Sequence, residues 1–253
     1  MAVFVALNLF GGSASTPNIV ARASAALASE DAVYHVVGDV RFTAPESIGG
    51  NARLRFESWN TIGGRVHRKY WRVRNGQRSR RYENFAGRRR PGRRGGPALA
   101  YNPLTNQILP SGFGRAAGPG GAPAADPFDP SGGLRELEAQ GRLKHTGSAR
   151  AEGRRGYRLV SAPESGGNGA VERSVFVVDS ETYLPLSARY SRRERDGSTA
   201  IVYERFLTYE RLPLNDRTEE DLDLDPHPGA KCDRFAAEMP AKRDLGFPNP
   251  CKR

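Results

Sequence analysis

The chain has 253 residues, 38% of them hydrophobic, and a formal net charge of +11 at pH 7. That length fits one all-β domain, and the low apolar share reflects a few Gly, Pro and Arg tracts that need not join a core. The N-terminal apolar run, Ala2 to Phe10, falls well short of the roughly twenty residues a membrane-spanning helix needs.

This run is followed by Gly11-Gly12-Ser13-Ala14-Ser15, a small-residue stretch like that at the end of a signal peptide or anchor, although no basic residues precede it. Residues 1–15 are therefore expected to be a signal or anchor remnant, and the protein to be extracytoplasmic, either secreted or held at a membrane. Thr16-Pro17 then offers an N-cap and a first-turn proline. Ile19, Val20, Ala23 and Leu27 follow at helical spacing and predict a short amphipathic helix to about Ser29.

Beyond it the period changes to two. Tyr34, Val36, Val40 and Phe42 alternate with His35, Asp39 and Arg41, and Leu54 and Phe56 alternate with Arg53, Arg55 and Glu57. Residues 65–84 continue as strands around Asn75-Gly76, a strong hairpin signal. The surplus charge sits here. Residues 65–94 hold thirteen Arg or Lys against the single acid Glu83, whereas the remainder has 26 basic and 27 acidic residues. Arg outnumbers Lys 34 to 5 in the whole chain, a bias that GC-rich coding can produce without functional cause.

Two segments, 86–97 and 110–133, are dominated by Gly, Pro, Ala and Arg and are expected to be mobile loops. A helix through Leu134 and Leu137 stops at Gly141, and a β pattern resumes at Leu143. Turns at Glu152-Gly153, Ser180-Glu181-Thr182 and Asp196-Gly197 join successive strands by short links, which requires antiparallel neighbours and so a meander. Pro185 opens one of these strands. Proline has no N–H for a central ladder and belongs at a strand's first residue, an edge or a bulge.

The run Asn215 to Pro226 places Asp221, Asp223 and Asp225 at alternate positions, but Pro226 and Cys232 stand where a calcium loop of EF-hand type would have Gly and Glu. A solvated strand edge is the better reading. In the Pro-rich tail, residues 226–253, Cys232 and Cys251 are expected to form a disulfide worth about 3 kcal/mol by loop entropy, which implies an oxidising compartment. The four histidines, His35, His67, His145 and His227, are scattered and read as surface or half-buried positions. No nucleophile elbow, phosphate loop or metal-ligand spacing occurs, so neither catalysis, nor a cofactor, nor a metal is expected.

Three motifs carry a family resemblance: Gly156-Tyr157-Arg158-Leu159-Val160 closing a hairpin, Val178-Asp179-x-x-Thr182-x-x-Pro185 at a turn, and Tyr209-Glu210-Arg211-Leu212-Pro213 before the acidic run. In these the chain resembles the LolA-like superfamily, which includes lipoprotein carriers, cell-wall lipid carriers of the LppX and LprG type, and envelope-stress regulators of the RseB (MucB) type. The resemblance covers roughly residues 16–225. It implies a mainly β fold, a single large curved antiparallel sheet forming a half-barrel over two or three short helices, with an apolar hollow for acyl chains.

A sheet curved over so few helices must fill its concave face with side chains or a guest. Val36, Val40, Phe42, Leu54, Phe56, Leu186, Ala188 and Tyr190 are the candidate lining. The expected function is a monomeric, non-enzymatic carrier of lipid or lipoprotein acyl chains, docked on an anionic membrane surface by Arg65, Arg68, Arg72, Arg74, Arg78, Arg80 and Arg81. The resemblance also implies an alternative, a sensor that restrains a membrane anti-sigma factor. Binding of nucleic acid or an anionic polymer by the Arg- and aromatic-rich hairpin is weaker, since no nucleic-acid signature accompanies it.

Overall fold

A computed structural model describes residues 16–27, 31–43, 51–61, 65–74, 77–78, 81–86, 98–110, 134, 137–165, 169–238 and 251. Residues 1–15, where a signal or anchor remnant was expected, Arg80, and residues 87–97 and 111–133, where mobile loops were expected, lie outside this set.

The described residues form one large sheet. Its strands are β1 (Ala32–Thr43), β2 (Ala52–Thr61), β3 (Val66–Arg74), β4 (Gln77–Arg78), β5 (Tyr82–Ala86), β6 (Ala98–Asn102), β7 (Gln107–Pro110), β8 (Leu143–Ala151), β9 (Arg154–Ser161), β10 (Glu164–Ser165), β11 (Val171–Asp179), β12 (Pro185–Arg193), β13 (Thr199–Pro213) and β14 (Lys231–Cys232). The order along the sheet is β14-β7-β6-β5-β3-β2-β1-β13-β12-β11-β9-β8, with β10 on β11 and β4 on β3. All pairings are antiparallel except that of the two-residue β14 with β7. The helices are α1 (Thr16–Ala26), α2 (Asp216–Glu220) and α3 (Arg234–Glu238), together with a helical turn at 137–139. This is the curved sheet over short helices that the LolA-like resemblance implied.

The expected turns are where the strands reverse. Glu152 (φ 53) and Gly153 (φ 74) are both left-handed, as a two-residue hairpin link demands. Pro185 is the first residue of β12, opposite Val178 at a register irregularity, and the Asp179 N–H next to it donates to the Leu184 carbonyl instead. The ladder therefore loses no donor at the proline. Arg74 pairs with Gln77, which brackets the Asn75-Gly76 link. The expected turn-helix ends at Gly141 (φ 64), whose N–H donates to the Glu138 carbonyl.

The concave face holds the main core. Ile19, Val20 and Ala23 of α1, with Leu134 and Leu137, pack on Val36, Val40, Phe56, Leu159, Phe176, Val178, Ala188 and Phe206. Gly38 sits at the point of closest approach. A Cβ there would lie 2.5 Å from the Arg205 carbonyl oxygen and 2.7 Å from the Phe56 ring, so the bare backbone makes room for Phe56, whose ring meets Phe206 edge-on at 6.3 Å. Opposite Gly38 the β13 register skips Leu207, a bulge that leaves this leucine exposed.

A second layer covers part of the convex face, which is not how the sequence reads. The Pro-rich tail, whose sequence shows no helical or strand period, forms β14 and α3 and packs on the sheet. Leu222 meets Val33 and Trp59, while Leu224 and Ala236 meet Phe85, Leu99 and Ile108. The Cys232–Cys251 disulfide, with a Cα–Cα distance of 5.7 Å, lies against this second cluster. Strands β6 and β7, which supply much of it, carry too weak an alternation to be read from sequence.

Candidate functional site

Strand parity assigns the candidate lining to the concave face. Val36, Val40, Phe56 and Ala188 are at most 2% exposed and belong to the core beneath α1, and Leu186 is likewise buried. Phe42, Leu54 and Tyr190 are half-buried and pack against the edge of that core together with Val202. These four sit at one end of the sheet. Tyr190 pairs with Val202 and Val202 with Phe42 across β12, β13 and β1, while Leu54 on β2 faces Val40. The lining thus divides into a part filled by the chain's own helices and an apolar band at one end that keeps contact with solvent.

Inside β2, β3 and β5 the concave face turns polar. Ser58, Asn60, Arg68 and Asn84 are all buried, and Arg68 stands between Ser58 and Asn84 in register with its guanidinium 5.6 Å from the Phe56 ring. Arg68 is 1% exposed and Arg65 is 6% exposed, so neither presents charge to a membrane. That corrects the expected anionic-surface set. Sequence proximity grouped the arginines of the hairpin, but alternate residues of a strand point to opposite faces and the first two positions are covered. Of the others, Arg72 is exposed beside Leu54, Arg81 is ion-paired, Arg74 and Arg78 lie on strands with side chains outside the description, and Arg80 is outside it altogether.

The acidic run neutralises the basic strands. Arg65 Nη2 lies 2.9 Å from Asp223 Oδ1, Lys69 Nζ 2.9 Å from Asp225 Oδ2, and Arg81 Nη2 3.0 Å from the same oxygen. Asp223 and Asp225 are therefore clasped to β3 and β5 and do not form the solvated edge expected of them.

The same clasp gathers two histidines. His67 on β3 is fully buried and His227 has a side chain only 7% exposed, against the surface or half-buried positions expected. His67 Nδ1 lies 2.8 Å from the Asp221 carbonyl and its Nε2 3.2 Å from Glu83 Oε2. His227 Nε2 lies 3.3 Å from that same oxygen, and the Asp225 N–H donates to it at 3.2 Å. Burial works to raise the Glu83 carboxyl, yet His67, Arg81 and His227 outweigh it and hold the group below its ordinary value. His67, Glu83 and Asp225 bring ligating atoms within 4.8 Å of one another. Sequence reading missed this group because its members come from β3, β5 and a segment some 140 residues downstream.

No protein-family model matches the chain, and no curated protein matches it. Among solved structures the chain is similar to an outer membrane lipoprotein-sorting protein domain of Vibrio parahaemolyticus (11% identity, TM-score 0.38, covering 82% of this chain and 97% of that one). It is also similar to LprF of Mycobacterium bovis (10%, TM-score 0.38, 80% and 98%) and to a LolA superfamily protein of Nitrosomonas europaea (10%, TM-score 0.33, 81% and 97%).

Proposed function

We propose that the protein is a non-enzymatic binder of lipid or lipoprotein acyl chains that takes its guest at the open end of the concave face. The observation that carries this reading is the band of Phe42, Leu54, Tyr190 and Val202, apolar side chains on the hollow side of the sheet that remain half-exposed. An acyl chain laid on them removes apolar surface from water at about 25 cal/mol per Å².

Charge at this end suits a lipid surface. Arg72 is exposed beside Leu54, and on the outer side of neighbouring rows Arg41, Arg53 and Arg189 are exposed, with Tyr203 between Arg41 and Arg189 in register. Each cation near an anionic bilayer contributes about 1 kcal/mol at ordinary ionic strength. Docking would set the apolar band facing the headgroups from which a chain is drawn. This surface keeps Arg72 of the expected set, leaves out the buried Arg65 and Arg68, and adds Arg41, Arg53 and Arg189.

Titration of the protein with a fluorescent fatty acid, together with native mass spectrometry of protein purified from its own host, tests the reading. Saturable uptake, or a bound mass in the lipid range, is expected. A clean unliganded mass with no fluorescence uptake would refute it.

A further inference from the structure

The cluster under the C-terminal segment points beyond lipid binding. We propose that His67, His227, Glu83 and Asp225 form a site for a divalent transition-metal ion, with Zn²⁺ as the representative ion.

The tautomer of His67 is fixed by its surroundings. A main-chain carbonyl can only accept, so the ring nitrogen facing Asp221, at 2.8 Å, carries the hydrogen, and in the neutral imidazole Nε2 holds the lone pair. A carbonyl orienting the far nitrogen is the outer contact that metal-ligating histidines commonly have. That lone pair faces a carboxylate oxygen at 3.2 Å. Two acceptors so placed need a cation between or upon them, and either a proton or a metal ion meets the need.

Spacing and donor chemistry favour the metal site. Ligands bound tetrahedrally at about 2.0–2.1 Å stand about 3.3–3.4 Å apart. The Glu83 oxygen is 3.2 Å from one imidazole nitrogen and 3.3 Å from the other. His227 is held with its ring stacked on Tyr101 at 3.5 Å between centroids, and its buried Nε2 approaches Glu83 without the alignment of a hydrogen bond. Asp225 brings a ligating oxygen within 4.8 Å of those of His67 and Glu83, and His227 reaches this group through its approach to Glu83; imidazole and carboxylate donors together suit zinc and its neighbours in the transition series and not calcium or magnesium.

Lys69 and Arg81 are the competitors. Their charges occupy the carboxylates of Asp225 and Glu83; the Arg81 side chain is 39% exposed and has a route to solvent when an ion enters, while Lys69, 16% exposed, keeps its Nζ 4.9 Å from the Trp59 ring. Metal binding thereby exchanges two flexible cations for one fixed ion and pins residues 221–227 to β3 and β5.

The test uses the untagged full-length chain, stripped by chelator and titrated with Zn²⁺ by calorimetry and thermal melting. One equivalent should bind and raise the melting temperature. His227→Ala, which leaves the His67–Glu83 contact in place, and Asp225→Asn should each weaken binding at least tenfold, while Lys69→Met should tighten it. Co²⁺ should give visible ligand-field absorption that His227→Ala removes. Absence of uptake by the wild-type chain overturns the proposal, as does uptake unchanged in a folded His227→Ala variant.

Discussion

His35 and Glu57 lie diagonally across β1 and β2 on the outer face, with Nε2 of one 3.0 Å from Oε1 of the other. Glu210 approaches the second ring nitrogen at 3.4 Å, and the imidazole stacks on Trp59 at 5.1 Å. The Glu57 hydrogen bond raises His35 above its ordinary 6.5, with burial opposing and Glu210 assisting. The same bond lowers Glu57 below its ordinary 4.5, aided by the charges of His35, Lys69 and His67.

Stability should follow from those two directions. A raised histidine stabilises fully below its unfolded value and loses that contribution as pH climbs through the folded one; a lowered carboxylate stabilises above its unfolded value and loses it as pH falls through the folded one. The pair should therefore contribute most between about pH 4.5 and 6.5. Thermal melting of wild type and His35→Gln across pH should show the largest gap in that window and a shrinking gap above it. A gap constant with pH would contradict the assignment.

Gly38→Ala should destabilise the fold by about 1–3 kcal/mol, as overpacking does. The added methyl meets the Arg205 carbonyl and the Phe56 ring, and the carbonyl belongs to a paired strand that cannot easily retreat. Urea unfolding measures the loss. Replacing Phe56 by leucine in the same chain should recover part of it.

Phe42→Asp and Val202→Asp should reduce fatty-acid uptake at least tenfold with little change in melting temperature, because both side chains are only half-buried. Val40→Asp, at 0% exposure in the core beneath α1, should unfold the protein. Circular dichroism separates the two outcomes.

Neutralising Arg41, Arg53, Arg72 and Arg189 together should weaken sedimentation with anionic vesicles and flatten its salt dependence. Uptake of free fatty acid should remain. An unchanged vesicle affinity would remove these side chains from the docking surface.

Replacing Cys232 and Cys251 by serine opens a link spanning 19 positions and should cost about 3 kcal/mol. The loss should register first in hydrogen exchange of β6 and β7, which share a cluster with that link, and last in β11 to β13.

The meander was legible because its signals are local. Glycine and acidic turn residues, period-two alternation and Pro185 each act within a few positions, and β8, β9 and β11 to β13 follow them closely. The outer clasp was not. A run of arginines looks like a free charged surface until the acids that meet it are placed, and Asp223 and Asp225 are brought there only by the tail crossing β3 and β5. Arg68 could have been separated from its neighbours on parity, since it shares a face with Tyr70 and opposes His67 and Lys69. The lining was half legible: alternation selects the inward side chains, but which of them α1 covers depends on where that helix docks.

Glu83 is entirely covered, and the groups around it include the Asp225 N–H, which donates to it, and His227, which approaches it at 3.3 Å, both some 140 residues downstream. During synthesis the middle strands thus emerge long before their electrostatic partners. A nascent chain arrested ahead of residue 221 would hold a wet carboxylate and imidazole where the finished molecule is sealed. Completion of this half of the sheet therefore waits on residues 221–227, which follow Glu83 by some 140 positions.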